Sequence, residues 1–377
     1  MTDHPHLGSV RGTLWRGGTS KGLFIDETVL PDAPDVRDAL VLELFGSPDP
    51  LQLNGIGGGI SHTSKLVAVA PDDTHDLRYT FGQVGVEEAA VDWSKNSGNI
   101  ASAVGAYALH EGLIEARTET TTLTLRNTNT GTIIDQQVPL VDGFPAVRGD
   151  TTIDGVPGTG AKIATTYRDP GGAVTGQLLP TGSPMDVLEI DGGLSVSVVD
   201  CGSLLMFVRA ADLGLKGTEQ PATLAERAAV MKQLERAREL LRKRLELSDA
   251  KRSNPAIGIV SQPQPFECSD GRTVAAADID LTARFISLQP HHAISMTGAM
   301  SLAAGSRIAG TIPAEVADVE PQGEVSIGHP KGTVTIGIEV TSHSDGPAVR
   351  SATYYRTACP LARGEIYYRR DRVLSNN

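Results

Sequence analysis

At 377 residues the chain is long for one domain and comfortable for two, so each half can bury a core without staples. Its three cysteines, Cys201, Cys268 and Cys359, lie far apart with no CxxC or Cys/His cluster, which speaks against a disulfide framework or a zinc site and for a reducing cytoplasm. A formal net charge of -12 speaks against a nucleic-acid partner, since phosphate-backbone binding is mostly cation-driven, and admits an anionic small substrate only in a locally positive pocket.

The opening MTDHPHLGSVRG has neither a basic n-region nor an apolar h-region, and no window approaches the length of a membrane span. A soluble, cytoplasmic protein with no membrane partner is therefore expected. Leu14 to Ile25, LWRGGTSKGLFI, has apolar ends around a glycine-rich polar bend and reads as strand, tight turn, strand. Gly18-Thr19-Ser20-Lys21-Gly22 formally matches the nucleophile elbow, but that motif needs a helix after the serine and Gly22 to Ile25 reads as a strand. The glycines favour an anion-binding turn, with a plain turn and a solvated lysine as the alternative.

Asp35 to Phe45 reads as a short amphipathic helix, and the glycines of Asn54 to Ile60 miss both the dinucleotide and the phosphate-loop spacing. Ser61-His62-Thr63-Ser64-Lys65 then sets a lysine at the start of the apolar strand Lys65 to Ala70. An amine held there is open to desolvation, which would lower its pKa toward that of a useful base; an edge-strand lysine in water explains the same letters. Tyr79 to Val86 and Ala90 to Trp93 read as further strands, and Thr120 to Arg126 with Thr132 to Val138 as a hairpin.

Between the strands and that hairpin, Asn96 to Leu113, NSGNIASAVGAYALHEGL, reads as one helix that is apolar nearly all round, and so as a buried element. A buried helix start carries free N–H groups that must meet a cap, a water or an anion, and that demand falls on Ser97 and Asn99. The pattern returns once, TGAMSLAAG from Thr297 against SGNIASAVG from Ser97. Two like domains are the expectation, each a sheet around a central helix whose N-terminus faces the other domain. Two unrelated Ala/Gly-rich helices are the alternative.

Pro and Gly crowd the stretch up to Pro184, which marks loops and the crossing into the second domain. Leu194 to Asp200 and Leu204 to Val208 read as buried strands, and Thr223 to Leu247 as the clearest helix, with its charged side in solvent. Ala256 to Val260 and Leu281 to Ile286 continue the strands. His291-His292, on a strand, would point to opposite sides and make a poor metal pair. Gly328-His329-Pro330-Lys331-Gly332 reads as a turn before the strand Thr333 to Val340, and Tyr354 to Thr357 with Gly364 to Tyr368 as terminal strands that return to the first domain.

RGGTSKG at Arg16 to Gly22, SHTSK ending at Lys65, NSGN at Asn96 to Asn99, MTGA at Met296 to Ala299, GHPKG at Gly328 to Gly332 and RTA at Arg356 to Ala358 follow in the order found in the PrpF-like proteins, which this chain resembles over nearly its whole length. That family includes 2-methylaconitate, aconitate and methylitaconate isomerases and 4-oxalomesaconate tautomerases. The resemblance implies an α+β fold of two pseudo-symmetric diaminopimelate epimerase-like domains, each a curled, mostly antiparallel sheet around a central helix, with the active site between them. The domains expected are 1–183, rejoined by strands in 354–377, and 184–353.

The resemblance further implies a cofactor-independent isomerase, with no metal, that moves a carbon–carbon double bond in an unsaturated di- or tricarboxylic acid. Lys65 matches the family's catalytic lysine. Thr19, Ser20, Ser64, Asn96, Gly98, Asn99, Thr297, Gly298, Ala299 and His329 are the implied substrate-binding set, and a homodimer is the expected assembly. Where family members commonly carry a cysteine before the Gly-Asn pair, this chain has Ser97, the second position of catalytic interest. A thiol with a pKa of about 8.5 exchanges protons near neutrality far better than a hydroxyl, so Ser97 is expected to bind a carboxylate or relay to water. With Thr297 at the matching position, a two-thiol racemase is excluded, while a one-base isomerisation by Lys65 survives. A non-catalytic polycarboxylate binder is the alternative from another class, and a hydrolase built on Ser20 the third.

Overall fold

A computed structural model describes residues 4–94, 96–247, 253–344 and 346–374. The chain divides into two compact units, Met1–Thr166 with Tyr355–Asn377, and Tyr167–Tyr354. The division falls at Thr166 and not near Pro184, because the turn-rich stretch between is tied to the second unit's own strands. Gly172 donates to the Asp200 carbonyl at 2.7 Å, Asp200 to that of Leu178 at 2.9 Å, and the Ser197 hydroxyl to that of Pro184 at 2.6 Å.

In the first unit, Ala358–Arg369 pairs antiparallel with Leu7–Gly17, which pairs antiparallel with Ser20–Asp26. Ser20–Asp26 runs parallel to Lys65–Pro71, which is antiparallel to Leu77–Val84; that strand is parallel to Thr120–Asn127, which forms a hairpin with Ile133–Val141. In the second unit, Asp186–Leu188, Leu194–Asp200 and Leu204–Arg209 pair antiparallel in turn. Leu204–Arg209 then runs parallel to Ala256–Ser261, which is antiparallel to Leu281–Ile286; that strand is parallel to Glu324–His329, which forms a hairpin with Gly332–His343. The alternation is the same in both units.

Parallel neighbours need a crossover, and the helices sit in equivalent crossovers. Pro34–Phe45 and Ala228–Arg244 fill the first of each unit, and the segments from Gly98 and Met296 fill the second. The similarity between Ser97 to Gly105 and Thr297 to Gly305 is thus matched by topology. The alignment slips at the helix starts: Ser97 is the residue before its helix, whereas Thr297 is already inside one that begins at Met296 behind Ser295.

Each crossover helix has its own core. Pro34–Phe45 opens on a proline, ends on Gly46 in the left-handed region at φ 74°, and turns Leu40, Val41, Leu44 and Phe45 onto Leu23, Ile25, Leu66 and Ala68. Ala228–Arg244 packs Leu234, Ala237 and Leu241 against Val208, Ile257 and Ile259.

Two sequence expectations are corrected here. The helix expected over Thr223 to Leu247 is two, Pro221–Ala225 and Ala228–Arg244, separated by Arg227 at ψ 63°. Its charged side is not wholly in solvent either, since Arg238 is 1% exposed, paired with Glu235 at 3.0 Å and donating to the Ser287 carbonyl. The helix expected over Asn96 to Leu113 is likewise two pieces, Gly98–Ala101 and Val104–His110. The buried Gln136 amide explains the break: it accepts the Gly105 N–H at 2.8 Å and donates to the Ala101 carbonyl at 2.8 Å, so a side chain stands in the i to i−4 ladder.

Candidate active site

The glycine-rich hairpin comes first because three of its glycines are dictated by what lies against them. Gly18 takes φ 52° at the first position of the two-residue loop that closes Gly17 onto Ser20, a conformation that suits glycine. A Cβ on Gly17 would lie 2.7 Å from the Asn99 carbonyl, one on Gly18 2.3 Å from the Asn99 side-chain oxygen, and one on Gly22 2.7 Å from the Lys65 carbonyl. The turn is therefore moulded to the first central helix and to Lys65. Arg16 locks it from behind, donating to the carbonyls of Gly18 at 3.1 Å and Thr357 at 2.9 Å.

Ser20 begins a strand, not a helix, which removes the nucleophile-elbow reading; Ser20 is buried and Thr19 half-buried. Lys65 opens the strand Lys65–Pro71 and is only 7% exposed. Its Nζ donates to Gln83 Oε1 at 2.5 Å and lies 5.2 Å from the centroid of the Phe81 ring. The preceding residue is fixed as well. Ser64 is fully buried, and its hydroxyl donates to Gln52 Oε1 at 2.7 Å and to the Ile60 carbonyl at 2.9 Å. That hydroxyl helps hold the loop that delivers Lys65.

Asn96 is also engaged structurally, with its nitrogen on the Tyr79 hydroxyl at 2.9 Å and its oxygen accepting from the Ser97 N–H at 2.7 Å. Ser97 occupies the N-cap position of Gly98–Ala101, yet its hydroxyl makes no capping bond, contrary to the capping role the sequence suggested. Gly98 and Asn99 form the first turn, and the Asn99 side-chain oxygen accepts from Arg356 Nε at 2.9 Å. Arg16 and Arg356 thus bring positive charge to one region of a strongly acidic chain.

In the second unit the equivalent helix is capped. Ser295 Oγ accepts from the Gly298 N–H at 3.2 Å, and Ala299, fully buried, donates to the Ser295 carbonyl at 2.8 Å. The Thr297 hydroxyl accepts from Ser203 at 2.6 Å. His329, 5% exposed, ends the strand Glu324–His329, and its Nδ1 accepts from the Lys331 N–H at 3.2 Å, which puts the proton of a neutral ring on Nε2. His291 and His292 lie outside regular strands, and burial lowers the His291 pKa, with His292 adding to the effect. Among the described residues no group of three or more His, Cys, Asp and Glu is gathered to hold a metal ion, and no helix is long and apolar enough to cross a membrane.

Sequence reasoning missed Gln83, Phe81, Gln52 and Arg356 as parts of this site. Gln83 was within reach, because a hairpin closed around Asp72 to Asp76 pairs position 65 with 83. Arg356 stands in the RTA motif, but its bond to Asn99 was not legible, since only the folded chain brings the two together.

The family described as PrpF protein matches residues 9–369. The chain belongs to the PrpF family. Among relatives in that family, a 3-methylitaconate isomerase of Eubacterium barkeri is 36% identical, covering 96% of this chain and 97% of its own. A 4-oxalomesaconate tautomerase of Pseudomonas putida is 36% identical over 95% of this chain and 96% of its own. A crystal structure of a methylitaconate-delta-isomerase matches with a TM-score of 0.89 at 32% identity, covering 98% of each chain. A hydroxyproline epimerase from Agrobacterium vitis matches at TM-score 0.52 and 15% identity over 96% of this chain and 93% of its own, which shows the epimerase-like fold alone. This PrpF-family chain is an enzyme of the isomerase kind.

Proposed function

We propose that the protein moves a carbon–carbon double bond in an unsaturated di- or tricarboxylic acid by a 1,3-proton shift, with Lys65 as the general base. The neutral Lys65 amine takes a proton from the allylic carbon. The electron pair moves into the conjugated system and onto the carboxylate or carbonyl oxygens. The ammonium returns a proton two carbons away, directly or through a water that gives up one proton and takes another from the ammonium, so the amine is restored and the double bond shifts with no change of redox state. Relatives bearing the names methylitaconate isomerase and oxalomesaconate tautomerase support the substrate class.

The observation that carries this reading is the burial of Lys65 with its Nζ on the neutral Gln83 amide oxygen, against the glycine hairpin and in the unit that bears Arg356. Backbone N–H groups around Gly98 and Asn99, with Thr19 and Ser20, would bind a carboxylate and stabilise developing charge without reorienting. Ser97 would contribute binding more than proton transfer.

Proton NMR in deuterated water, across aconitate-like, methylitaconate-like and oxalomesaconate-like acids, tests this. Exchange at an allylic carbon is expected with the wild type and none with Lys65→Met, while Ser97→Ala should raise KM with kcat nearly unchanged. Full activity in Lys65→Met would remove the assigned base. Thermal stabilisation by such acids without exchange would make the protein a polycarboxylate binder.

A further inference from the structure

We infer that Gln83 is the positioning residue of the Lys65 base, fixing where the amine points and keeping it able to lose its proton. The inference rests on the reading of Lys65 given above. Lys65 and Gln83 face each other across the antiparallel pair Lys65–Pro71 and Leu77–Val84, with Nζ and Oε1 2.5 Å apart. The amide can be oriented only one way. Its nitrogen donates to the carbonyls of Ser64 at 3.0 Å and Ser61 at 3.1 Å, so its oxygen must face the lysine. A flipped amide would set NH2 against the ammonium and oxygen against two carbonyls.

A neutral amide is also the acceptor that base chemistry wants. Oε1 takes one N–H from the ammonium and one from the free amine alike, so the group stays in place through the proton cycle and its lone pair is turned away from Gln83. A carboxylate in the same place would favour the charged ammonium and retain the proton. Phe81, two residues before Gln83 and so on the same strand face, supplies the other wall of the seat. The seat is tied to the loop before Lys65, because the Ser64 residue that accepts from Gln83 is itself held by buried Gln52.

The test compares Gln83→Glu, Gln83→Leu and Lys65→Met by pH-dependent kinetics. In Gln83→Glu the rising limb of the kcat profile should move up by about 1–3 pH units, with activity recovered at high pH. Gln83→Leu should lower kcat by about tenfold to a hundredfold with KM little changed. If Lys65→Met is inactive but both Gln83 variants keep the wild-type limb and kcat, the role of Gln83 is overturned and the Lys65 reading stands; if Lys65→Met is active, the Lys65 reading itself fails. Should circular dichroism show that the Gln83 variants do not fold, a crystal structure of the unaltered protein decides: Oε1 within about 3.5 Å of Nζ supports the inference, and a longer separation overturns it.

Discussion

The Gln136 side-chain oxygen accepts the Gly105 N–H at 2.8 Å while its nitrogen donates to the Ala101 carbonyl at 2.8 Å, so one amide replaces one turn's hydrogen bond inside the first central helix. Glycine at 105 leaves room for this, since a Cβ there would stand 2.7 Å from the Gln136 oxygen and the amide would have to move. The segment before the break, Gly98–Ala101, is also the one packed on Gly17, so the insertion sets where the helix start lies.

Replacing Gln136 with leucine should therefore strand two buried backbone groups. The expected loss is about 1–3 kcal/mol, read from urea unfolding with an unchanged slope. A loss near zero, with more helical circular dichroism, would show that the helix closes by itself and that Gln136 does not cause the break.

Gly22 gives a sharper link between packing and chemistry. In Gly22→Ala the new methyl would meet the Lys65 carbonyl at 2.7 Å and Lys65 Cβ at 3.2 Å, so the parallel strands must part at Lys65, the proposed base. Overpacking of this kind costs about 1–3 kcal/mol, and a lysine displaced by about 1 Å can lose a hundredfold in rate. Gly364→Ala is the control, as nothing lies within 4 Å of a Cβ there. Thermal unfolding and kcat should both fall in the first variant and in neither for the second. If kcat survives in Gly22→Ala while stability drops, close packing at Gly22 does not position the base.

How much of this was legible follows from how local each signal is. The glycine hairpin and the lysine opening an apolar strand can be read directly, because turn chemistry and period-two patterning act over a few residues. The unbroken helix over Asn96 to Leu113 could not be corrected from its own letters, because Gln136 reaches it only through the fold. The same holds for Arg356 on Asn99. The part Ser64 plays in its loop was not legible either, because its bonds to Gln52 and Ile60 exist only in the folded chain. The internal repeat is faint in sequence, since two small-residue helices share few letters, yet the order of parallel and antiparallel neighbours preserves it in full.

Asp72 sits in the turn that sets Lys65 opposite Gln83, and its carboxylate is held well below the usual carboxylate range. The Thr74 backbone N–H at 3.0 Å is the main cause, opposed by burial and reinforced by the Thr74 hydroxyl at 2.8 Å, by Arg126 and by His75. An aspartate in the unfolded chain titrates near about 3.9. Because the folded value is depressed, the carboxylate's contribution to stability is present above that pH and is lost as the pH falls toward the folded value. Asp72→Asn keeps an oxygen for Thr74 but no charge, so its urea midpoint should lie below the wild type's at about pH 7, and the gap should narrow steadily as the pH falls from about 5 to about 2. A gap of constant size over that range would mean that the charge on Asp72 does nothing for the turn, and that shape alone keeps the two strands of the lysine hairpin in register.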